Sequence, residues 1–432
     1  MKIAVLGGGM SGITVARQLQ EKNHEVHLFE ARSELGGLCR SRIVDGFVYD
    51  LGGGHIVNSK NNKILNLILD ELGQDLWYKH ERNAKIFFKG SYVKYPFENG
   101  LDDLPKEDNF ECLLGYINAH FDRKFLRKSA PHNFYDWILY RFGIGIAEAY
   151  MIPYNQKVWN YNLKHMGTNW IDERVPLAQV EDVIKASIGI ATEGHKHQSQ
   201  FYYPKKGGFQ TVVDAFAKPL ETIHLSSPVV SLENSKGKWI INGFEEFDDV
   251  ISTLPMQDLP KIVSNIPPFV SATLDSIWYN GVVTVLIGLK KPFNHNYSWL
   301  FLPNKENGPS HRLTFMSNYS EFNAPKGCSS IIAEITYKAK TIPEREDIVV
   351  SDLIKFLHNS EIIDKEDIIV TDSTFFKYAY PVYGLKFHEF TRIINNYLNE
   401  IKLKSFGRFA SHSYWNIDRI VEESIMFVDQ WY

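Results

Sequence analysis

Cysteine is nearly absent: the 432-residue chain has three, Cys39, Cys112 and Cys328. They form no CxxC pair and no metal-ligand spacing, which excludes a disulfide-stapled or zinc-built fold. Reduced thiols in a cytoplasmic protein are expected. No apolar run approaches the ~20 residues needed to span a bilayer. Met1-Lys2 leads straight into Ile3 to Leu6, a run only a strand long, so neither a signal peptide nor membrane insertion is expected. Charge of one sign is not in excess either. The net charge of -4 argues against a polyanion-binding surface, and hence against nucleic acid as a partner. Repeats, low-complexity tracts and long linkers are missing, and the sequence leaves a homo-oligomer open.

What is present begins at the first residues. Ile3-Ala4-Val5-Leu6 has the unbroken apolar character of a parallel strand buried on both faces. Gly7, Gly9 and Gly12 follow in G-x-G-x-x-G spacing, with Met10 and Ser11 between them. Ile13 to Glu21 then reads as a helix and Glu25 to Glu30 as a second strand. In such a unit Gly7 allows the tight turn, Gly9 lets backbone approach a pyrophosphate, and Gly12 lets helix pack on strand. The helix N-terminus offers free N–H groups to phosphates. Glu30, followed by Ala31 and Arg32, stands where an acid holds ribose hydroxyls.

A second glycine turn, Glu34-Leu35-Gly36-Gly37-Leu38, comes directly after the acid. Plain NAD-binding folds have no need of it and many FAD-binding folds have one, so FAD is favoured over NAD. A third cluster, Gly52-Gly53-Gly54-His55, lets backbone lie against a flat ring. His55 is then either a flavin neighbour or an ordinary structural histidine.

The rest of the pattern is helical over residues 63–76 and much of 107–194, then strand-rich. Val229 to Asn242 and Phe247 to Leu254 read as strands, as do several runs between Ile277 and Tyr337. Ile348 to Asn359 and Leu385 to Ile401 read as helices. The expected fold class is α/β: a Rossmann-like FAD-binding domain with an inserted helical substrate domain and an antiparallel β-sheet domain. The cofactor domain is expected in pieces, 1–90, 205–255 and 385–432. The helical domain is expected over 91–204 and the sheet domain over 256–384.

Further segments recur in order: Tyr95-Pro96-Phe97-Glu98-Asn99, Pro153-Tyr154-Asn155-Gln156-Lys157-Val158-Trp159, Trp170 to Val175, Phe201 to Gly208, Tyr380-Pro381 and Gly407-Arg408-Phe409. With Gly53-Gly54-His55 they resemble the UDP-galactopyranose mutases, particularly the eukaryotic-type branch of these FAD-dependent, amine oxidase-like (GR2-type) flavoproteins. The resemblance implies that Tyr95, Phe97 and Glu98 grip the uracil end of a UDP-sugar. It implies that Arg174 and Arg312 bind its diphosphate with Tyr380 and Tyr414, and that Asn155 and Trp159 sit near sugar and flavin. It places Gly37, Leu38, Gly53, Gly54, His55, the backbone at Val230, Arg408, Asn416, Ile417 and Asp418 around FAD.

The implied reaction is a redox-neutral interconversion of UDP-galactopyranose, or a related UDP-hexose, with its furanose form for cell-surface polysaccharide synthesis. It would run through an adduct of the sugar with N5 of reduced FAD, kept reduced by NAD(P)H or another donor. Three positions depart from the pattern: Glu98 stands where glutamine is usual, Phe301 where a tyrosine is expected, and Gln198 near an expected asparagine. An oxidase of the amine oxidase or protoporphyrinogen oxidase type shares the N-terminal turns and is the competing reading. A non-catalytic flavin-binding scaffold is a third.

Overall fold

The computed structural model describes residues 1–125, 129, 131–171, 175, 178–192, 199–341 and 346–432. The first apolar run is β1 (Lys2–Leu6), at the centre of a five-stranded parallel sheet. On one side it pairs with β2 (Glu25–Phe29) and then Ile223–His224. On the other it pairs with Asp249–Ser252 and then Lys404–Ser405. Ile3 and Val5 face one hydrophobic cluster with Ile13 and Val421, while Ala4 and Leu6 face another with Trp239 and Leu274. All four are fully buried, as a central parallel strand requires. Each buried Ile, Val or Leu contributes roughly 1.5–3 kcal/mol.

Helix α1 (Met10–Glu21) runs back along the sheet and packs against Ile417–Trp431, at the far end of the chain. A Cβ on Gly12 would lie 1.9 Å from the Gly7 carbonyl oxygen, so this crossing admits only glycine.

A seven-stranded sheet forms the second layer. Its order is Ile368–Pro381, Tyr279–Leu289, Ser329–Lys338, Arg312–Phe315, Trp299–Phe301, Ala84–Phe88 and Ser91–Lys94. Neighbours are antiparallel except Trp299–Phe301 with Ala84–Phe88. One face of this sheet packs on helix Glu346–Asn359 through Leu353 and Leu357. The other joins the core of the cofactor unit through Leu286 and Ile332. Helices Lys106–Phe125, Phe134–Ile146, Ile152–Trp159 and Val180–Ser187 make up the third unit.

Two sequence expectations change. A boundary at residue 90 would fall inside the hairpin Ala84–Phe88/Ser91–Lys94, which belongs to the seven-stranded sheet. Val229 to Asn242 is not one strand but a coil leading into Leu232–Ser235, a turn at Lys236-Gly237 with positive φ, and Lys238–Ile241. The Ile368–Pro381 strand lies in a region to which the pattern reading assigned no element.

Candidate functional site

Where the strands of the five-stranded sheet end, several turns line a cavity of about 1290 Å³. A single-ligand pocket holds roughly 300–1,000 Å³, so one cavity has room for a dinucleotide and a second ligand.

The first part of the cavity is glycine-rich. The Gly7 amide donates to the Phe29 carbonyl at 2.8 Å, which turns the chain at the strand end. Glu30 accepts from the amides of Gly8 and Arg32, each at 2.8 Å, so its carboxylate is fixed at the loop. A Cβ added to Gly9 would meet nothing within 4 Å: this backbone faces open space, as a pyrophosphate cradle must. Met10, Ser11, Arg32, Gly37 and Leu38 also line the cavity. From the opposite side comes the start of helix Ile417–Trp431, with Asn416, Ile417 and Asp418 in the wall. Asn416 makes no side-chain cap, which leaves the first amides of that helix unsatisfied by it.

Gly53 and Gly54 line the cavity too, but what lies beneath them also dictates glycine. A Cβ on Gly53 would come 2.8 Å from the Glu334 carboxyl group, and one on Gly54 2.5 Å from Thr314. His55 follows, with its Nδ1 buried and unpartnered. Burial, then the charges of Arg312 and Arg408, push its pKa down to about 4, so the ring is neutral at neutral pH. Trp299 Nε1 and Arg408 Nε are likewise buried, unpartnered donors on cavity-lining residues. Open glycine backbone, a helix N-terminus and orphaned buried nitrogens together fit an FAD.

The second part of the cavity is aromatic and cationic. Arg312 and Glu334 stand directly opposite on neighbouring strands. Arg312 Nε and Nη2 donate to Glu334 Oε1 at 2.8 and 2.5 Å, and the Tyr380 hydroxyl donates to Oε2 at 3.1 Å. Burial opposes the guanidinium charge, but the Glu334 carboxylate overcomes it and holds the pKa above its ordinary value. Glu334 is 1% exposed whereas Arg312 keeps 29%, so the pair presents its cation to the cavity. Arg408 lies 4.4 Å from the Tyr414 ring centre and donates to the carbonyls of Trp415 and Ala379. Asn155 accepts from Trp159 Nε1 at 3.1 Å and donates to the Met151 carbonyl, one helical turn apart on one face.

Beyond them lies a box of rings. Tyr95 sits 4.9 Å from Phe301, Phe97 stacks on Tyr150 at 5.2 Å, and Tyr150 stacks on Tyr154 at 5.3 Å. Arg82 lies over the Tyr95 ring at 5.1 Å. Phe301 therefore presents a bare ring edge where a tyrosine would present a hydroxyl.

Glu98 is 5% exposed in the same wall. Lys94 does not pair with it, since that ammonium donates to the Thr192 carbonyl at 2.8 Å. Burial pushes Glu98 up to about 7, against its own backbone amide and the charge of Arg82. Folding thus takes up a proton between the ordinary value of 4.5 and about 7. Stability contributed at Glu98 is present below that window and falls as pH rises through it. Glu98→Gln is expected to remove this dependence. Denaturant unfolding should show the variant gaining on the wild type by on the order of 2–3 kcal/mol between pH 5 and pH 8. Parallel curves for the two proteins would contradict it.

Other expected site residues fall elsewhere. Val230 is 64% exposed and does not line the cavity. Its amide donates to Asn242 Oδ1 at 2.8 Å, because Asn242 clamps the 228–231 coil against the hairpin. Ala31 is absent from the wall, and Gly12 acts behind it. Arg174 and Gln198 lie outside the described residues. Sequence reasoning missed Glu334 and Arg82. A lone acid inside the apolar run Ser329–Lys338 was the available signal for Glu334, since a buried charge needs a partner. Arg82 had none.

Comparison with known proteins agrees with this geometry. The sequence profile of the flavin containing amine oxidoreductases matches residues 10–399. The crystal structure of a reduced UDP-galactopyranose mutase superposes with a TM-score of 0.90 and 26% identity, over 99% of this chain and 95% of that one. A protein described as a putative protoporphyrinogen oxidase from Exiguobacterium sp. 255-15 superposes at 0.77 with 14% identity, over 99% and 98%. The mitochondrial protoporphyrinogen oxidase of Nicotiana tabacum is 22% identical over 346 residues. That match covers 67% of this chain and 65% of the tobacco enzyme, less than two thirds of its length.

Proposed function

Because this chain belongs to the flavin-containing amine oxidoreductase family and its cofactor is FAD, we propose that it is a nucleotide-sugar mutase. It would interconvert the pyranose and furanose forms of UDP-galactose or a related UDP-hexose with no net redox change. The observation that carries this reading is the Arg312–Glu334–Tyr380 cluster: a cation held charged in the cavity wall, with the cofactor glycines on one side and stacking rings on the other.

Reduced FAD supplies the electron-rich centre that such a ring contraction requires. The protein supplies position and charge. Arg312 keeps Nη1 available after its two bonds to Glu334 and neutralises the departing diphosphate. Its planar fork matches phosphate oxygens better than a lysine would. Tyr380 is oriented by its bond to Glu334. Neutral His55 meets the cofactor as a hydrogen-bonding ring and adds no charge beside it. Tyr95 and Arg82 offer a stacked pair of planes for a base. Trp159 and Trp170, 4.8 Å apart, close the sugar region with apolar surface and exclude water.

The sequence match to protoporphyrinogen oxidase favours a second reading, an FAD-dependent oxidase. The two separate on titration. UDP added to the FAD-loaded enzyme is expected to shift the flavin spectrum saturably, with no hydrogen peroxide released. An unchanged spectrum, with peroxide produced from an amine or porphyrinogen, would select the oxidase.

A further inference from the structure

Outside the cavity, one group of metal-ligating side chains comes together among the described residues: His27, His224 and Glu245. His27 lies on β2, His224 on the edge strand Ile223–His224 beside it, and Glu245 on the strand Glu245–Phe247. His27 Nδ1 is 3.0 Å from His224 Nε2 and 3.6 Å from a Glu245 oxygen. Four-coordinate zinc with bonds near 2.0–2.1 Å sets its ligand atoms about 3.3 Å apart, and these two distances bracket that spacing.

The group also has the outer partner such a site needs. His27 Nε2 lies 3.0 Å from Glu25 Oε1, two residues back on the same strand face. A proton held there leaves Nδ1 as a lone pair facing the other two ligands. Among the described residues, Lys2 brings a cation to the cluster. Its Nζ reaches Glu245 Oε1 at 3.3 Å and lies 4.7 Å from the Phe247 ring centre, so a metal would compete with it for one carboxylate oxygen.

We propose that His27 Nδ1, His224 Nε2 and a Glu245 oxygen form a site for zinc or a similar divalent transition metal, with water as fourth ligand. Cysteine spacing could not disclose it, because the two histidines are 197 residues apart. The metal would pin the edge strand to β2 three residues before Glu30, whose amide donates to the His224 carbonyl. Its role would be to hold the adenosine end of the cofactor domain, independently of the reaction catalysed.

The test uses chelator-treated, FAD-loaded protein titrated with zinc against a chromophoric indicator. One equivalent is expected to bind and to raise the unfolding temperature. His224→Ala should weaken binding at least ~10-fold. Glu25→Gln, at an exposed position that leaves all three ligands in place, should weaken it by about 10-fold. Cobalt should give intense visible bands of a four-coordinate ion, to the red of the flavin. No zinc retained by the wild type, or equal retention by wild type, His224→Ala and Glu25→Gln, would overturn the proposal.

Discussion

Arg312→Ala is expected to cut turnover at least ~100-fold, the scale of losing one preorganised charge contact to a developing anion. The surroundings of this arginine set the size of the effect. Glu334 fixes it through two bonds, Tyr380 fixes Glu334, and the guanidinium is held charged although it lines an otherwise aromatic wall. Arg312→Lys keeps the charge and loses the planar fork, so its loss should be smaller but still large. Steady-state rates with retained FAD content would check both. A near-wild-type rate for the alanine variant would remove Arg312 from the site.

Glu334→Ala is expected to lower the unfolding free energy by about 3 kcal/mol, the low end for removing one member of a buried ion pair. The low end applies because Arg312 keeps 29% exposure toward the cavity and water can solvate it there. The Tyr380 hydroxyl also loses its acceptor, and Gly53 loses the group packed beneath it. Removing both charges should cost less than the sum of the single changes, which a double-mutant cycle by denaturant unfolding would read. Additive costs would mean that the pair is not a coupled unit.

How much of this was legible in the sequence follows from how local each feature is. The turn at Gly7 to Gly12 could be read because every requirement lies within one strand–turn–helix unit, and the structure builds that unit where expected. That Asn155 and Trp159 share one face likewise followed from their spacing of four, whereas their place near sugar and flavin was implied only by the family resemblance. The Arg312–Glu334 pair was not legible, because it depends on the register between Arg312–Phe315 and Ser329–Lys338. The expected boundary at residue 90 splits the hairpin Ala84–Phe88/Ser91–Lys94 for a similar reason. Its partner strand, Trp299–Phe301, lies more than 200 residues further on. At Val230 a local contact intervenes: Asn242 captures its amide and leaves the side chain on the surface. The His27–His224–Glu245 group was hidden in the same way, since edge-strand pairing brings His224 beside β2.

A flavin enzyme that rearranges a nucleotide sugar without consuming electrons turns over many times per reduction of its cofactor. The direct measurement is product formation from UDP-galactofuranose and a panel of related UDP-sugars, resolved by chromatography, with enzyme either reduced by dithionite or kept oxidised. Conversion to the pyranose form is expected from the reduced enzyme, with many turnovers per reduction, and none from the oxidised enzyme. Equal conversion by the oxidised enzyme, or no conversion of any UDP-sugar by the reduced one, would contradict it.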